Sequence, residues 1–155
     1  MTMSWGYLGD DEQTAQAFTK DHFYRSGDLG QIDSEGYLRI VGRVKDMILR
    51  AGENVYGAEV ESAIYEHPAV HEAAVFGVPH ERLGEEVGVA ILPNDGMSLT
   101  AEELWAFLDG KIANFKIPTK VAIMSEALPR NAAGKFLKRE LQQQLLKGTL
   151  KAASR

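Results

Sequence analysis

From Met47 onward the apolar residues fall into short segments, in the order strand, helix, strand, strand, helix, strand, helix. Met47-Ile-Leu-Arg50 reads as a short strand, and Gly52-Glu-Asn54 as turn chemistry. Ala58 to His67 reads as a helix with Val60, Ala63, Ile64 and His67 on one face and Glu59, Glu61 and Glu66 away from it. Pro68 ends it. Val70 to Val78 and Glu86 to Leu92 read as strands, Val87, Val89 and Ile91 alternating with smaller residues. Thr100-Ala-Glu-Glu103 is a capping box, with Leu99 and Leu104 at the positions of a hydrophobic staple. Leu104, Phe107, Leu108 and Ile112 continue it as one apolar stripe. Val121 to Met124 reads as a strand, and Leu137, Leu141 and Leu145 mark a closing helix. That order predicts an α+β fold: helices packed on a small, mostly antiparallel sheet.

The preceding segment differs. Asp10 to Phe18 reads as a short helix with acids in its first turn, which suits the helix dipole. Gly30-Gln-Ile and Tyr37 to Val41 flank the turn residues Asp33 to Gly36, a hairpin pattern. A helix and a hairpin bury little alone.

Charge is unevenly placed. The net value of −5 combines +7 over Lys116 to Arg155 with −12 over the residues before. A basic end invites an anionic partner, or is simply a solvated helix face. A nucleic-acid surface is disfavoured, because Phe136 is the only aromatic after Phe115. There are no cysteines, hence no disulfide framework and no thiolate metal site. His67 and His71 are separated by the helix-ending Pro68, so no metal site is expected. No apolar run approaches the roughly 18 residues of a membrane span, and Met1 to Asp10 lacks the pattern of a signal peptide. The expectation is a cytoplasmic protein.

Several residues stand where chemistry is possible. Asp28 ends Tyr24-Arg-Ser-Gly-Asp28 and either accepts hydrogen bonds from a diol or caps a turn. Arg43 in Gly42-Arg-Val-Lys-Asp46 offers fixed donors, or is a surface arginine after a glycine. Lys135 follows Gly134 at the end of Pro129-Arg-Asn-Ala-Ala-Gly134-Lys135. Glycine permits close backbone approach to a ligand. A nucleotide-binding P-loop is excluded, since Pro129 stands at its first glycine and Phe136 at its Ser or Thr.

Taken together and in order, these segments resemble the motifs of adenylate-forming enzymes, specifically the C-terminal part of an acyl-CoA synthetase. Tyr24-Arg-Ser-Gly-Asp28 is similar to the family's Tyr-Arg-Thr-Gly-Asp, with Ser26 for Thr. Gly42 to Asp46, continuing through Gly52-Glu-Asn-Val-Tyr56 to Glu61, resembles the domain-junction motif. Pro129 to Lys135 resembles the terminal motif, and the likeness runs from about Gly6 to Leu146. Gly57 departs from it, since many members carry Pro there.

The resemblance implies a two-step ligation. A carboxylate and ATP, with Mg²⁺, give an acyl-adenylate, and CoA then gives acyl-CoA and AMP. It implies that Lys135 is the catalytic lysine of the first step and that Asp28 and Arg43 bind the nucleotide. It implies a hinge at Lys45 and a CoA channel along Ala51, Gly52 and Glu53. Residues 1–44 would end a large N-terminal domain, 45–147 would form the mobile C-terminal domain, and 148–155 a basic tail that frays. The family's phosphate-binding loop, its Thr-Glu metal segment and its acyl pocket are not in this sequence, so the chain alone is expected to turn over no substrate. Its expected partners are ATP or AMP, CoA, a carboxylic acid and the N-terminal domain, with neither nucleic acid nor a membrane span. Apolar surface left by that absent domain invites a homodimer. The alternatives are a free-standing non-catalytic module that binds a nucleotide, CoA or a partner protein, and a peptide-synthetase adenylation fragment.

Overall fold

The computed structural model describes residues 4–155. Residues 1–3, at the head of the segment expected to end a larger domain, lie outside them. The chain divides into two units, Met1–Lys45 and Asp46–Arg155.

The first unit holds helix α1 (Asp11–Ala17) and strands β1 (Asp28–Ile32) and β2 (Leu38–Arg43). Asp10 caps α1 by accepting from the Gln13 amide at 2.8 Å, which satisfies one orphan donor of the first turn. The hairpin turn is built by Asp33, whose Oδ1 accepts from the amides of Glu35 and Tyr37. Asp28 pairs with Arg43 at the open end of the antiparallel ladder. Trp5, Phe23, Tyr37, Leu38 and Ile40 are exposed, and α1 buries no residue.

The second unit contains β3 (Met47–Arg50), β4 (Glu53–Tyr56), α2 (Gly57–Tyr65), β5 (Val70–His80), β6 (Gly84–Pro93), α3 (Ala101–Leu108), β7 (Lys120–Ile123), α4 (Lys138–Leu146) and β8 (Ala153–Ser154). The six strands form one sheet. β5 runs along one edge of β6 with ten residues of antiparallel pairing. On the other edge β7 pairs in parallel, and β3 touches at Arg50 and Gly84. All other pairings are antiparallel, so the α+β expectation holds.

Both faces of β5 and β6 are covered. Ala73, Val75, Val87, Val89 and Ile91 pack with Val60 and Ile64 of α2 and Leu104 and Leu108 of α3. Ala74, Phe76, Val78 and Ala90 pack with Leu141 of α4 and with Leu128. Ile64, Leu104, Leu108 and Leu141 are fully buried, which contributes about 1.5–3 kcal/mol each. The capping box forms in both halves: the Glu103 amide donates to Thr100 Oγ1, and the Thr100 amide to Glu103 Oε2.

Three local readings change. The turn after β3 is Ala51-Gly52, and Glu53 and Asn54 belong to β4. The helix of Thr100 stops at Leu108, although Ile112 still packs on the core. The tail expected to fray instead returns to the sheet, where Ala153 and Ser154 pair with Val121 and Lys120. The open edge of β7 supplies the backbone partners that hold it.

Candidate functional site

Lys135 lies on a tight loop between β7 and α4. The loop closes on itself. The Asn131 amide donates to the Lys135 carbonyl at 2.9 Å, and the Gly134 amide to the Asn131 carbonyl at 2.9 Å. The Asn131 side-chain oxygen accepts from the amides of Ala133 and Lys135, each at 3.0 Å. The Leu137 amide donates to the Pro129 carbonyl at 2.8 Å and clamps the base. Gly134 has φ +78, while a Cβ there would meet nothing within 4 Å. Glycine is needed for its dihedral, not for space.

Arg130 fastens this loop to the sheet. Its Nη1 donates to the Gly134 carbonyl and its Nη2 to Glu72 Oε1, both at 2.7 Å. Its guanidinium lies over the Phe136 ring, 4.0 Å from the centroid. Glu72, on β5, is nearly buried, and its second oxygen accepts from the Leu128 amide at 2.9 Å. Burial pushes the Glu72 carboxyl up, but the hydrogen bonds from Arg130 and Leu128 and the charges of Arg130 and His71 outweigh it. The carboxyl is held below its ordinary value. Lys135 itself is exposed, and its ammonium has no hydrogen bond or ion pair among the described residues. The arrangement is a fixed backbone carrying a free cation.

In the first unit, Arg43 Nε lies 2.9 Å from Asp28 Oδ1. The ladder ends on this pair, which places a carboxylate and a guanidinium at one edge. The Asp28 amide donates to Ser26 Oγ at 3.1 Å. Lys45 is exposed in a short 3₁₀ turn, Val44–Asp46, at the boundary between the units.

Ala51 and Gly52 form the two-residue turn of the β3–β4 hairpin, with φ +52 and +88. Both positions being left-handed matches the turn type that fits the twist of antiparallel strands. The Ala51 amide donates to the Leu83 carbonyl at 2.8 Å, so the turn is backed by the neighbouring loop. Glu53 is exposed beside it. A cavity of about 540 Å³ is lined by Arg50, Asn114, Phe115, Ile117, Thr119 and Arg155. The Nε of Arg50 is buried without a partner, and neither guanidinium meets a carboxylate among the described residues.

The structure therefore brings Asp28 to Arg43, places Ala51 and Gly52 on one turn with Glu53 at the start of the strand that follows, and sets Lys135 on its own loop. Sequence reasoning missed Glu72 and Arg130, although a lone carboxylate within the apolar strand Val70 to Val78 is a signal in itself. It also set Glu61 on the outer side of α2. Instead Glu61 Oε1 accepts from the Val75 amide at 2.8 Å and pairs with Lys138 at 2.7 Å. Among the described residues no cluster of His, Cys, Asp or Glu is placed to hold a metal ion, and no helix is long and apolar enough to cross a membrane.

Residues 59–135 match the family described as AMP-binding enzyme C-terminal domain. The chain is 44% identical over 140 residues to the mitochondrial medium-chain acyl-CoA ligase ACSF2 of Rattus norvegicus, an alignment that spans 90% of this chain and 23% of that protein. Among solved structures, ATP-bound MatB from Rhodopseudomonas palustris superposes with a TM-score of 0.82 at 41% identity, over 90% of this chain and 27% of that one. The o-succinylbenzoate CoA synthetase MenE of Bacillus subtilis, in complex with an acyl-adenylate intermediate, gives 0.81 at 34% identity, over 88% and 28%. The chain thus spans about a quarter of the length of the proteins it matches.

Proposed function

We propose, because the chain belongs to the AMP-binding enzyme C-terminal domain family, that it is the C-terminal part of an ATP-dependent carboxylate–CoA ligase. The observation that carries this reading is the Lys135 loop: a preorganised backbone presenting an unpaired, exposed ammonium.

The reaction needs that cation. A carboxylate oxygen attacks the α-phosphate of ATP, the bond to the bridging oxygen breaks, and pyrophosphate leaves with the electron pair. Two anions approach, and further charge moves onto the leaving group. A fixed ammonium beside them relieves the repulsion without reorganising. Lys135 takes that role here. Asp28 accepts from the ribose hydroxyls, and Arg43 orients that carboxylate and adds charge near the phosphates. Mg²⁺ enters as the ATP complex, and no residue of this chain is assigned to it.

In the second step the CoA thiol attacks the acyl carbon and AMP leaves. The Ala51-Gly52 turn and Glu53 beside it are proposed to line the path of the pantetheine arm, where the small side chains of the turn leave room. Arg50, whose Nε is buried without a partner, and Arg155, which bonds Asn114 but meets no carboxylate among the described residues, support a place nearby for an anionic end of the same substrate. Lys45 is the hinge of the movement between the two steps, since a few residues at an element boundary suffice to absorb it.

Residues 1–44 are then the end of a large N-terminal domain, and 45–147 the mobile domain. The exposed Trp5, Phe23, Tyr37, Leu38 and Ile40 support a resting place for the first segment outside this chain. The acid is chosen by residues outside it as well. We place the enzyme in the cytoplasm, and fractionation against a mitochondrial marker tests that.

The deciding experiment uses the full-length protein. Lys135→Ala should slow acyl-adenylate formation, followed by pyrophosphate release, about 10²–10³-fold. Thioester formation from supplied acyl-adenylate should keep its rate. Equal slowing of both steps would overturn the assignment. The 155-residue chain alone should form no acyl-CoA, and detectable turnover by it would overturn the division of labour proposed here.

A further inference from the structure

We infer that Glu72, acting through Arg130, is the positioning residue for Lys135. Among the described residues, the only side-chain hydrogen bond tying residues 131–135 to the sheet runs through the Arg130 guanidinium. That group reaches both sides of Lys135. It donates to the carbonyl of Gly134, which is bonded to the Lys135 nitrogen, and it stacks on the ring of Phe136. At its other end it is fixed by Glu72, whose second oxygen holds the Leu128 amide just before the motif begins.

The geometry suits position better than stability. A partly buried ion pair is weak evidence of stabilisation, since apolar residues of similar volume often serve a core as well. What the pair adds is direction. A guanidinium is planar, and its two terminal nitrogens diverge at a fixed angle, so anchoring one of them at Glu72 aims the other. A lysine at 130 keeps the charge but replaces the rigid fork with one freely rotating nitrogen, so an anchor at Glu72 no longer aims a second nitrogen at Gly134. The Lys135 side chain is long and free, so only its point of departure can be fixed. The clamp fixes that point through the backbone on either side. The catalytic meaning of this rests on Lys135 being the adenylation lysine, whereas the clamp itself does not.

The test separates the two. In the isotope-labelled 155-residue chain, Arg130→Lys and Glu72→Gln should each speed amide exchange at Ala133 and Lys135 about 10-fold. The amides of Thr119 and Met124, bonded to Val87 and Ile91 across the sheet, should keep their protection. In the full-length enzyme, Arg130→Lys should slow adenylation about 10- to 100-fold, the scale for a misplaced group, and spare thioesterification from supplied adenylate. Unchanged exchange at Lys135 would overturn the clamp. So would loss of protection at Met124 in step with Lys135, which would make the pair a general stabiliser. Loosened loop amides with undiminished adenylation would overturn the positioning role, while Lys135→Ala separately decides whether Lys135 takes part in the chemistry. Arg130→Lys keeps the charge, so it decides the matter even where Glu72→Gln fails to fold.

Discussion

The Nζ of Lys138 stands 2.7 Å from Oε1 of Glu61, the same oxygen that accepts the Val75 amide at 2.8 Å. One carboxylate oxygen on α2 therefore joins the first residue of α4 to the middle of β5. A cation at a helix N-terminus opposes the helix dipole. Glu61 offsets that cost where α4 begins, three residues after Lys135.

Removing this carboxylate strands the Val75 amide. Glu61→Ala should destabilise the chain by about 1–3 kcal/mol, the cost of an unmet buried donor. Thermal unfolding should show a midpoint lower by roughly 2–12 °C. Glu61→Gln keeps an acceptor and should lose less than half as much.

The Asp28–Arg43 pair is partly open to solvent, with side chains 27% and 43% exposed. Its worth to stability should be under about 1 kcal/mol. Its worth to nucleotide binding should be larger. In the full-length protein, Asp28→Asn should weaken ATP binding about 10- to 100-fold by calorimetry, the scale of hydrogen bonds to a charged group. The unfolding midpoint should hardly move.

Ala51 carries a left-handed backbone, φ +52, that costs a non-glycine residue about 1–2 kcal/mol. Ala51→Gly should relieve it. After the roughly 0.5–1 kcal/mol that glycine's unfolded freedom takes back, a net gain of about 0.5–1 kcal/mol should appear in urea unfolding. Ala51→Val should destabilise instead, because a β-branched side chain tolerates this region poorly.

Acid should loosen the Glu72 clamp. The folded carboxyl titrates below its unfolded value, which is about 4.3. Its stabilisation is therefore complete above that value and is lost as pH falls through the lower folded one. Urea midpoints taken between pH 6 and pH 3 should decline for the native chain. The decline should be shallower for Glu72→Gln, which carries no such proton.

Local patterns carried most of the element order. Thr100 and Glu103 cap their helix because the box is complete within four residues. β4 was not legible, since only Val55 of its four residues turns fully inward. β8 was not either: Ala153 and Ser154 have no pattern of their own and are ordered by the edge of β7. At the site, Asp28, Arg43 and Lys135 were singled out by the resemblance of three motifs in order, not by any one of them, and their roles are proposals. The supports beneath Lys135 were not legible, because Glu72 and Arg130 lie 58 residues apart and meet only once the sheet has formed. Glu61 was misplaced for a related reason. A single apolar stripe on α2 predicts one covered side, yet β5 and α4 cover a second.

β5 and β6 are apolar on both faces, so alternation alone does not forbid a one-residue slip between them: it would trade one greasy face for another. Gly88 forbids it. A Cβ there would come within 2.7 Å of Val78 Cγ2 and 3.0 Å of Phe76 Cε2, so the missing side chain is a notch that admits the ring opposite it. The notch indexes the two strands as a tooth indexes a gear. Glu72 stands four residues from Phe76 on the same face of the same strand. The tooth that sets the sheet's register thus also sets the height at which Arg130, and through it Lys135, is held.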